Sequence, residues 1–334
     1  MTTTTPPPSP SRILEIASGY WATALLGTAT QHSLFTHIHH GHTTPDQLTH
    51  QTGLAPRGIQ TLLDGLVGLG LLTTHNGTYH NTPETTHYLI EGQPNDITGF
   101  PQLKLNEMNK INDRLDIFQT GQPPTRPETE IADNPHWHNV VTAIANLTIP
   151  AAHKAAHLLN LPQQHHPHIL DIGGGLGTFS RIFLQLNPTA HATQLDWQPI
   201  NNLAEQHLTQ HHLNHRFTTI NGNFHTTPLP PNTYDIAIYS HIAHQESPHT
   251  NTQLLTKIRH TLKPHGTLII NDYITHNQRT GPPFPLLFTS EMLLKSNHGN
   301  TWTHHDYTTW LTQAGYTTIT HHPTHTPTTL ILAQ

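Results

Sequence analysis

Residues 168–178 read His-Ile-Leu-Asp-Ile-Gly-Gly-Gly-Leu-Gly-Thr, and this run decides the fold. An apolar strand, His168–Ile172, ends in a glycine-rich turn that opens a helix over Thr178–Leu186. Glycine lets the backbone approach a ligand closely, and a strand-to-helix turn aims N–H groups at it. Downstream the pattern repeats. Strands are expected at Ala192–Asp196, Phe217–Ile220, Asp235–Tyr239 and Thr267–Tyr273, with helices at Ile200–Leu213 and from Ser247-Pro248 through Leu262. Helices follow near Pro285–Lys295 and His304–Ala314, then strands Tyr316–His321 and Thr328–Ala333. Strand–helix alternation predicts a mostly parallel sheet covered on both faces, with the final strand pair antiparallel.

Upstream, Ile13, Ile16, Ala17, Tyr20, Ala24 and Leu25 follow the helical period over 12–30. Thr44-Pro45 is an N-cap followed by proline at the first helical position, and Pro56 opens a longer helix carrying Ile59, Leu62, Leu63 and Leu66. His75-Asn76-Gly77 between two short β-rich runs marks a hairpin. Helices followed by a hairpin give a winged-helix order. The expected division is a Thr/Pro tail over 1–11, a winged-helix-like dimerisation domain over 12–95, linker helices over 96–150 and the α/β domain over 151–334. A winged helix that reads DNA needs cations for the phosphates, and Arg57 is the one basic residue between Pro45 and Gly70.

Composition narrows the function. Charged residues are 10% of the chain, Lys and Arg number 14, and the formal net charge is -6, which argues against a nucleic-acid partner. No apolar run is long enough to span a membrane. Cysteine is absent, so disulfides, thiolate catalysis and cysteine-ligated metals are excluded. The start lacks a secretory pattern, and the expected compartment is the cytoplasm. The 34 histidines are scattered through the whole length, as a chain-wide coding bias would place them. His153/His157 and His207/His211 fall one helical turn apart, but no closed ligand set surrounds them, and no metal is expected.

The glycine run also discriminates between ligands. Counting from Gly173, the third glycine of a dinucleotide fingerprint falls on Thr178, and an acid two residues before Gly173 repels a pyrophosphate. Asp171 suits an ammonium group. Asp196, at the end of the second strand, suits two ribose hydroxyls. Together they favour S-adenosylmethionine over a nicotinamide dinucleotide.

At this point the chain resembles the class I S-adenosylmethionine-dependent methyltransferases of the plant-type O-methyltransferase family, in its bacterial small-molecule branch. Ile13–Trp21 is similar to the family's dimerisation segment, Asp171–Gly177 to its cofactor loop, and Leu195-Asp196-Trp197 to its ribose-binding strand end. Gly222-Asn223-Phe224 stands where the family has Gly-Asp-Phe, and Leu262-Lys-Pro-His-Gly266 where it has Leu-Lys-Pro-Gly-Gly. The resemblance implies a Rossmann-like domain behind a helical dimerisation domain, a homodimer, and O-methylation of a small metabolite's hydroxyl. Asp171, Gly173, Gly175, Asp196, Trp197, Asn223, Phe224, Tyr239 and Ser240 are then the expected cofactor residues.

The family's base is a histidine just past the fourth strand of the α/β domain, and His244 in Ser240-His-Ile-Ala-His244-Gln245 fits it. Two family acids flank that base. Asp272 matches the first, and His304 stands at the second. His241 is expected to be incidental. The acceptor is expected against Gln245, against Phe284, Phe288 and Met292 at helical spacing, and against Met108 and Asn109. Gln245 and His304, in place of acids, keep open C- or N-methylation and non-methylating reactions on the same fold. A winged-helix regulator with a ligand-sensing domain is the non-enzymatic alternative.

Overall fold

A computed structural model describes residues 9–111, 114–123 and 135–334, with the side chains of 109, 135 and 136 outside that description. Two compact units result, Met1–Asp113 and Arg114–Gln334. The first begins with α1 (Ser11–Ala17) and α2 (Tyr20–Gln31). The single helix expected over 12–30 is broken at Ser18-Gly19. Glycine is about 1 kcal/mol worse than alanine inside a helix, and serine competes for backbone hydrogen bonds. Helix α1 buries none of its side chains, and Ile13, Leu14 and Ile16 are 71, 61 and 65% exposed.

Next come α3 (Leu34–His39), α4 (Pro45–Thr52) and α5 (Pro56–Gly68). A reciprocal capping box starts α4: Gln47 N–H donates to Thr44 Oγ1, and Thr44 N–H donates to Gln47 Oε1. Helix α5 buries Ile59, Leu62, Leu63 and Leu66. The wing is β1 (Leu72–His75) paired antiparallel with β2 (Thr78–Asn81). Asn76 and Gly77 both take positive φ in its turn, as a two-residue hairpin requires. After α6 (Pro83–Tyr88), α7 (Gly99–Ile111) departs from the linker reading. It packs on α2 so closely that a Cβ on Gly27 would lie 2.6 Å from Leu105 Cβ. The expected linker helix is part of the first unit.

The second unit holds α8 (Ile117–Thr120), α9 (Pro135–Ile144) and α10 (Ile149–Leu158). A tighter turn, Ala145–Thr148, separates α9 from α10, with Pro150 in the first turn of α10. Proline has no N–H to continue the ladder from the preceding turn.

The α/β region then runs β3 (His168–Ile172), α11 (Thr178–Leu186), β4 (His191–Asp196), α12 (Gln198–Gln210), β5 (Phe217–Asn221), β6 (Tyr234–Ser240), α13 (Pro248–Thr261), β7 (Leu262–Asp272), α14 (Pro283–Lys295), α15 (His304–Gln313), β8 (Ile319–Pro323) and β9 (Thr329–Ala333). Strand order is β5-β4-β3-β6-β7-β9-β8. All neighbours from β5 to β7 are parallel, and β9 is antiparallel to both its neighbours.

Successive strand residues enter opposite layers, as the two-residue period demands. Ile169, Ile236, Ile238 and Ile269 join the layer under α10, α11 and α12. Leu170, Ala237, Tyr239, Leu268 and Ile270 join the layer under α13 and α15. The chain leaves β3 toward β4 and β5 and then returns to β6 on the other side. The loops after β3 and β6 therefore diverge, and a crevice opens at the carboxyl ends of the strands. Asp171, Asp196, Ser240 and Asp272 all stand at that end.

Candidate active site

The loop after β3 carries three glycines in the left-handed region: Gly173 at φ +61°, Gly175 at +57° and Gly177 at +72°. At Gly173 space also requires glycine, because a Cβ would meet Ile242 Cδ1 at 2.6 Å. Asp171 is buried behind the loop, where Ser180 Oγ donates to its Oδ2 at 2.8 Å. Burial pushes its carboxyl up to about 6 despite that bond. Asp196 Oδ2 accepts from Gly175 N–H at 3.0 Å, and its Oδ1 accepts from Trp197 N–H at 2.7 Å. Burial raises this group to about 7. Each Asp196 oxygen keeps one free acceptor direction, so the carboxylate can take two further donors at once.

Two residues that sequence reasoning missed brace this edge. Asn201 Nδ2 donates to the carbonyls of Asp196 and Ile220, and Gln194 Nε2 donates to the Gly175 carbonyl at 3.0 Å. Asn223 Oδ1 accepts from His225 N–H, and Lys257 Nζ donates to the Phe224 and Thr227 carbonyls. Asn223 and Phe224 are thus held on a pinned turn. Tyr239 is a correction. Its side chain lies in the core with its hydroxyl on Asn251 Oδ1 at 3.2 Å, leaving only its backbone for a ligand. The strand period turns it away from its neighbour Ser240, whose Oγ accepts from Asn271 Nδ2.

Across the crevice, His244 follows β6 in a short turn, Ala243–Gln245, and meets Asp272 at the end of β7. His244 Nδ1 lies 2.6 Å from Asp272 Oδ1. The His244 backbone N–H donates to Oδ2 at 3.1 Å, Tyr273 N–H to Oδ1 at 2.8 Å, and the Tyr307 hydroxyl to Oδ2 at 3.0 Å. Asp272 is 0% exposed. Burial alone would raise it, but His244, its hydrogen bond, His241 and the Tyr273 N–H outweigh that and hold it below the usual carboxylate range. An ionised carboxylate can only accept, so the neutral His244 carries its proton on Nδ1. Its Nε2 has no partner among the described residues and is not sealed in.

His241, His244 and Asp272 bring three donor atoms within 4.8 Å of one another, the minimum for a metal site. The chemistry of the set favours a hydrogen-bonded dyad, because four N–H and O–H donors already fill the acceptor directions of Asp272. His241, expected to be incidental, borders the dyad. It takes a left-handed φ of +58°, its ring sits 5.0 Å from Tyr273 and 5.9 Å from His244, and burial lowers its pKa to about 4.

An aromatic wall surrounds His244. The Phe288 ring meets the imidazole edge-on at 5.1 Å, and Tyr273 lies 4.6 Å from Phe288 and 5.1 Å from Phe284. Met292 is buried behind them on the same helix. Gln245 Nε2 donates to the His241 carbonyl. Met108 lies half-buried on α7 in the first unit, and the Asn109 side chain lies outside the described residues. His304 is the second correction. Its Nδ1 pairs with His321 Nδ1 of β8 at 2.9 Å, outside the His241–His244–Asp272 cluster. Tyr307, one turn further along α15, is the residue that reaches Asp272.

A Rossmann-like sheet with a glycine cradle, a ribose-ready carboxylate and a His–Asp dyad beyond it defines a class I S-adenosylmethionine-dependent methyltransferase. Residues 133–317 match the O-methyltransferase domain and residues 14–91 the O-methyltransferase dimerisation domain, so the chain belongs to the O-methyltransferase family. It is 25% identical over 316 residues to the tetracenomycin polyketide synthesis 8-O-methyl transferase TcmO of Streptomyces glaucescens, covering 93% of this chain and 92% of that one. It is 26% identical to the 3-hydroxy-5-methyl-1-naphthoate 3-O-methyltransferase of Streptomyces sahachiroi, over 92% of this chain and 89% of the relative. Human N-acetylserotonin methyltransferase, solved with its S-adenosylmethionine, superposes with a TM-score of 0.84 at 21% identity over 99% of both chains.

The protein is an S-adenosylmethionine-dependent O-methyltransferase. Its dimerisation domain supports a homodimer, and its chemistry implies a small-molecule acceptor. Among the described residues no helix is long and apolar enough to cross a membrane.

Proposed function

We propose that the enzyme methylates a hydroxyl on an aromatic secondary metabolite, with His244 as the general base and Asp272 as its orienting carboxylate. The observation that carries this reading is the dyad. Asp272 fixes the His244 tautomer, and Nε2 is left open beside an aromatic wall. General-base catalysis needs a neutral imidazole held at the proton it removes. Tyr273, Phe284 and Phe288 offer ring faces and edges suited to a planar acceptor. Gln245 and Met292 are proposed to complete acceptor recognition.

Bound S-adenosylmethionine supplies an electrophilic methyl on a sulfonium centre. Gly173 and Gly175 admit the ligand to the backbone, Asp196 accepts its ribose hydroxyls and Asp171 supports the loop from behind through its bond with Ser180. Trp197, Asn223, Phe224 and Ser240 line the rest. The low Lys and Arg content supports action without a nucleic-acid or membrane partner, and the absence of cysteine suits the cytoplasm.

A second reading has one observation behind it. The L-tyrosine C(3)-methyltransferase of Streptomyces lavendulae is also a relative, 25% identical over 285 residues. A base that ionises a phenol activates its ring carbon as well as its oxygen. The test is incubation with 13C-methyl-labelled cofactor and a panel of naphthols, hydroxynaphthoates and simple phenols. We expect release of S-adenosylhomocysteine and O–CH3 signals in the product, and C–CH3 signals select the second reading. His244→Ala should lose about 10²–10⁴-fold in rate with cofactor affinity kept. A near wild-type rate in that variant overturns the assignment of the base.

A further inference from the structure

The segment 300–307 grips the base from two sides. Asn300 N–H donates to the His244 carbonyl at 2.8 Å, and Trp302 Nε1–H donates to the Ala243 carbonyl at 3.0 Å. Helix α15 then starts in a capping box, in which Thr303 Oγ1 accepts from Asp306 N–H and Asp306 Oδ2 accepts from Thr303 N–H. That cap fixes the first turn, and the next residue, Tyr307, drives its hydroxyl onto Asp272 Oδ2 at 3.0 Å. Both residues are 0% exposed.

We propose that Tyr307 is a positioning residue for methyl transfer: its hydroxyl locks the Asp272 carboxylate so that Oδ1 is presented to His244 Nδ1. Three observations support it. First, among the described residues Oδ2 carries two donors, the Tyr307 hydroxyl and the His244 backbone N–H. Without the hydroxyl one acceptor direction of a buried carboxylate is empty, and the group is freer to turn about Cβ–Cγ. Second, the surroundings are apolar. Tyr307 packs edge-on against Trp310 at 5.3 Å within the layer that includes Leu311 and Tyr239. A phenylalanine would satisfy that packing, so the oxygen acts on the carboxylate. Third, the place where a second acid was expected beside the base has none from His304, which is paired with His321. Tyr307 supplies a neutral donor to the dyad instead of a second negative charge. It draws electron density toward Oδ2 and away from the oxygen that faces His244.

This inference rests on His244 being the base, and its test is built to fail separately from that reading. The His244 Nδ1 proton, held against a buried carboxylate, should give a low-field proton resonance in 15N-histidine-labelled protein, absent in His244→Gln and in Asp272→Asn. In Tyr307→Phe that resonance should move further downfield, because Oδ1 regains charge, and should broaden at a lower temperature, because the carboxylate is less fixed. A resonance that stays in place or moves upfield overturns the proposal. Should Tyr307→Phe not fold, 3-fluorotyrosine placed at position 307 makes the hydroxyl a stronger donor, and the resonance should move upfield. With the phenol of the panel that turns over fastest, Tyr307→Phe should lower kcat about fivefold, the equivalent of one hydrogen bond, with KM for the cofactor unchanged. An unchanged kcat also overturns it. Loss of the His244 assignment would show separately, as a near wild-type rate in His244→Ala.

Discussion

Replacing Asp196 with alanine should weaken S-adenosylmethionine binding about a hundredfold and remove the part of its pH dependence centred near 7. The carboxylate already accepts one backbone N–H on each oxygen, from Gly175 and Trp197, and one direction on each oxygen is left for a ribose hydroxyl. Two hydrogen bonds to a charged group, at about 1.5–3 kcal/mol each, give about 3 kcal/mol at the lower bound, or two orders of magnitude in Kd. The pH effect follows from burial, which raises this group to about 7 in the ligand-free protein. Binding requires the ionised form, since a protonated carboxyl offers one acceptor fewer. About one-tenth of the protein is ionised at pH 6 and about nine-tenths at pH 8, so affinity should be about tenfold weaker at the lower pH. Calorimetry in buffers of different ionisation enthalpy should show a proton released on binding near neutral pH, and none attributable to this group in Asp196→Ala. Wild-type affinity that is flat between pH 6 and 8, or unchanged in the variant, refutes the reasoning.

Two other outcomes follow from the same residues. Asp171 and Asp196 are both raised on folding, to about 6 and about 7, so their contribution to stability is full below the unfolded carboxylate pKa and is lost as pH rises through those values. Thermal unfolding of the ligand-free enzyme should therefore fall in Tm between pH 5 and 8, more steeply than in the Asp171→Asn/Asp196→Asn double variant. His241→Ala should raise KM for the phenol while leaving cofactor affinity in place, because it removes a ring that borders both Tyr273 and His244. Unchanged acceptor kinetics would mean that the His241 ring serves packing alone.

Much of the second unit was legible because its signals are local. Asp171, the glycines at 173–175 and 177 and the strand-to-helix switch all fall within a few residues of one another, and Asp196 closes the next strand. The failures come from distance and direction. His304 was placed by the resemblance, as the match to the family's second acid, but α14 and the turn after it decide which side chain of the next helix returns to Asp272. Tyr307 left no sequence signal, because an aromatic at helical spacing reads as core and only its hydroxyl makes it more. Tyr239 was expected in the site from the resemblance together with Ser240, although alternate residues of a strand face opposite layers. Helix α7 read as linker because its amphipathicity is weak, and its packing rests on the absent side chain of Gly27, a contact no periodicity reports. The left-handed backbone at His241 is set by tertiary contacts that no pattern in the sequence announces.

Strand β9 lies between β7 and β8, although β8 precedes it in the chain. Among the described strands β8 has no neighbour but β9, through the register Ile319↔Ala333 to Pro323↔Thr329. It has its place in the sheet only once β9 is paired with β7. Until then the β7 edge over Leu268–Asp272 presents unpaired N–H and C=O groups beside buried leucine and isoleucine. Long-range pairing of this kind is slow. The nascent or heat-opened enzyme therefore carries an adhesive rim next to Asp272, and crowded synthesis should cost it soluble yield before it costs any assembled molecule its activity.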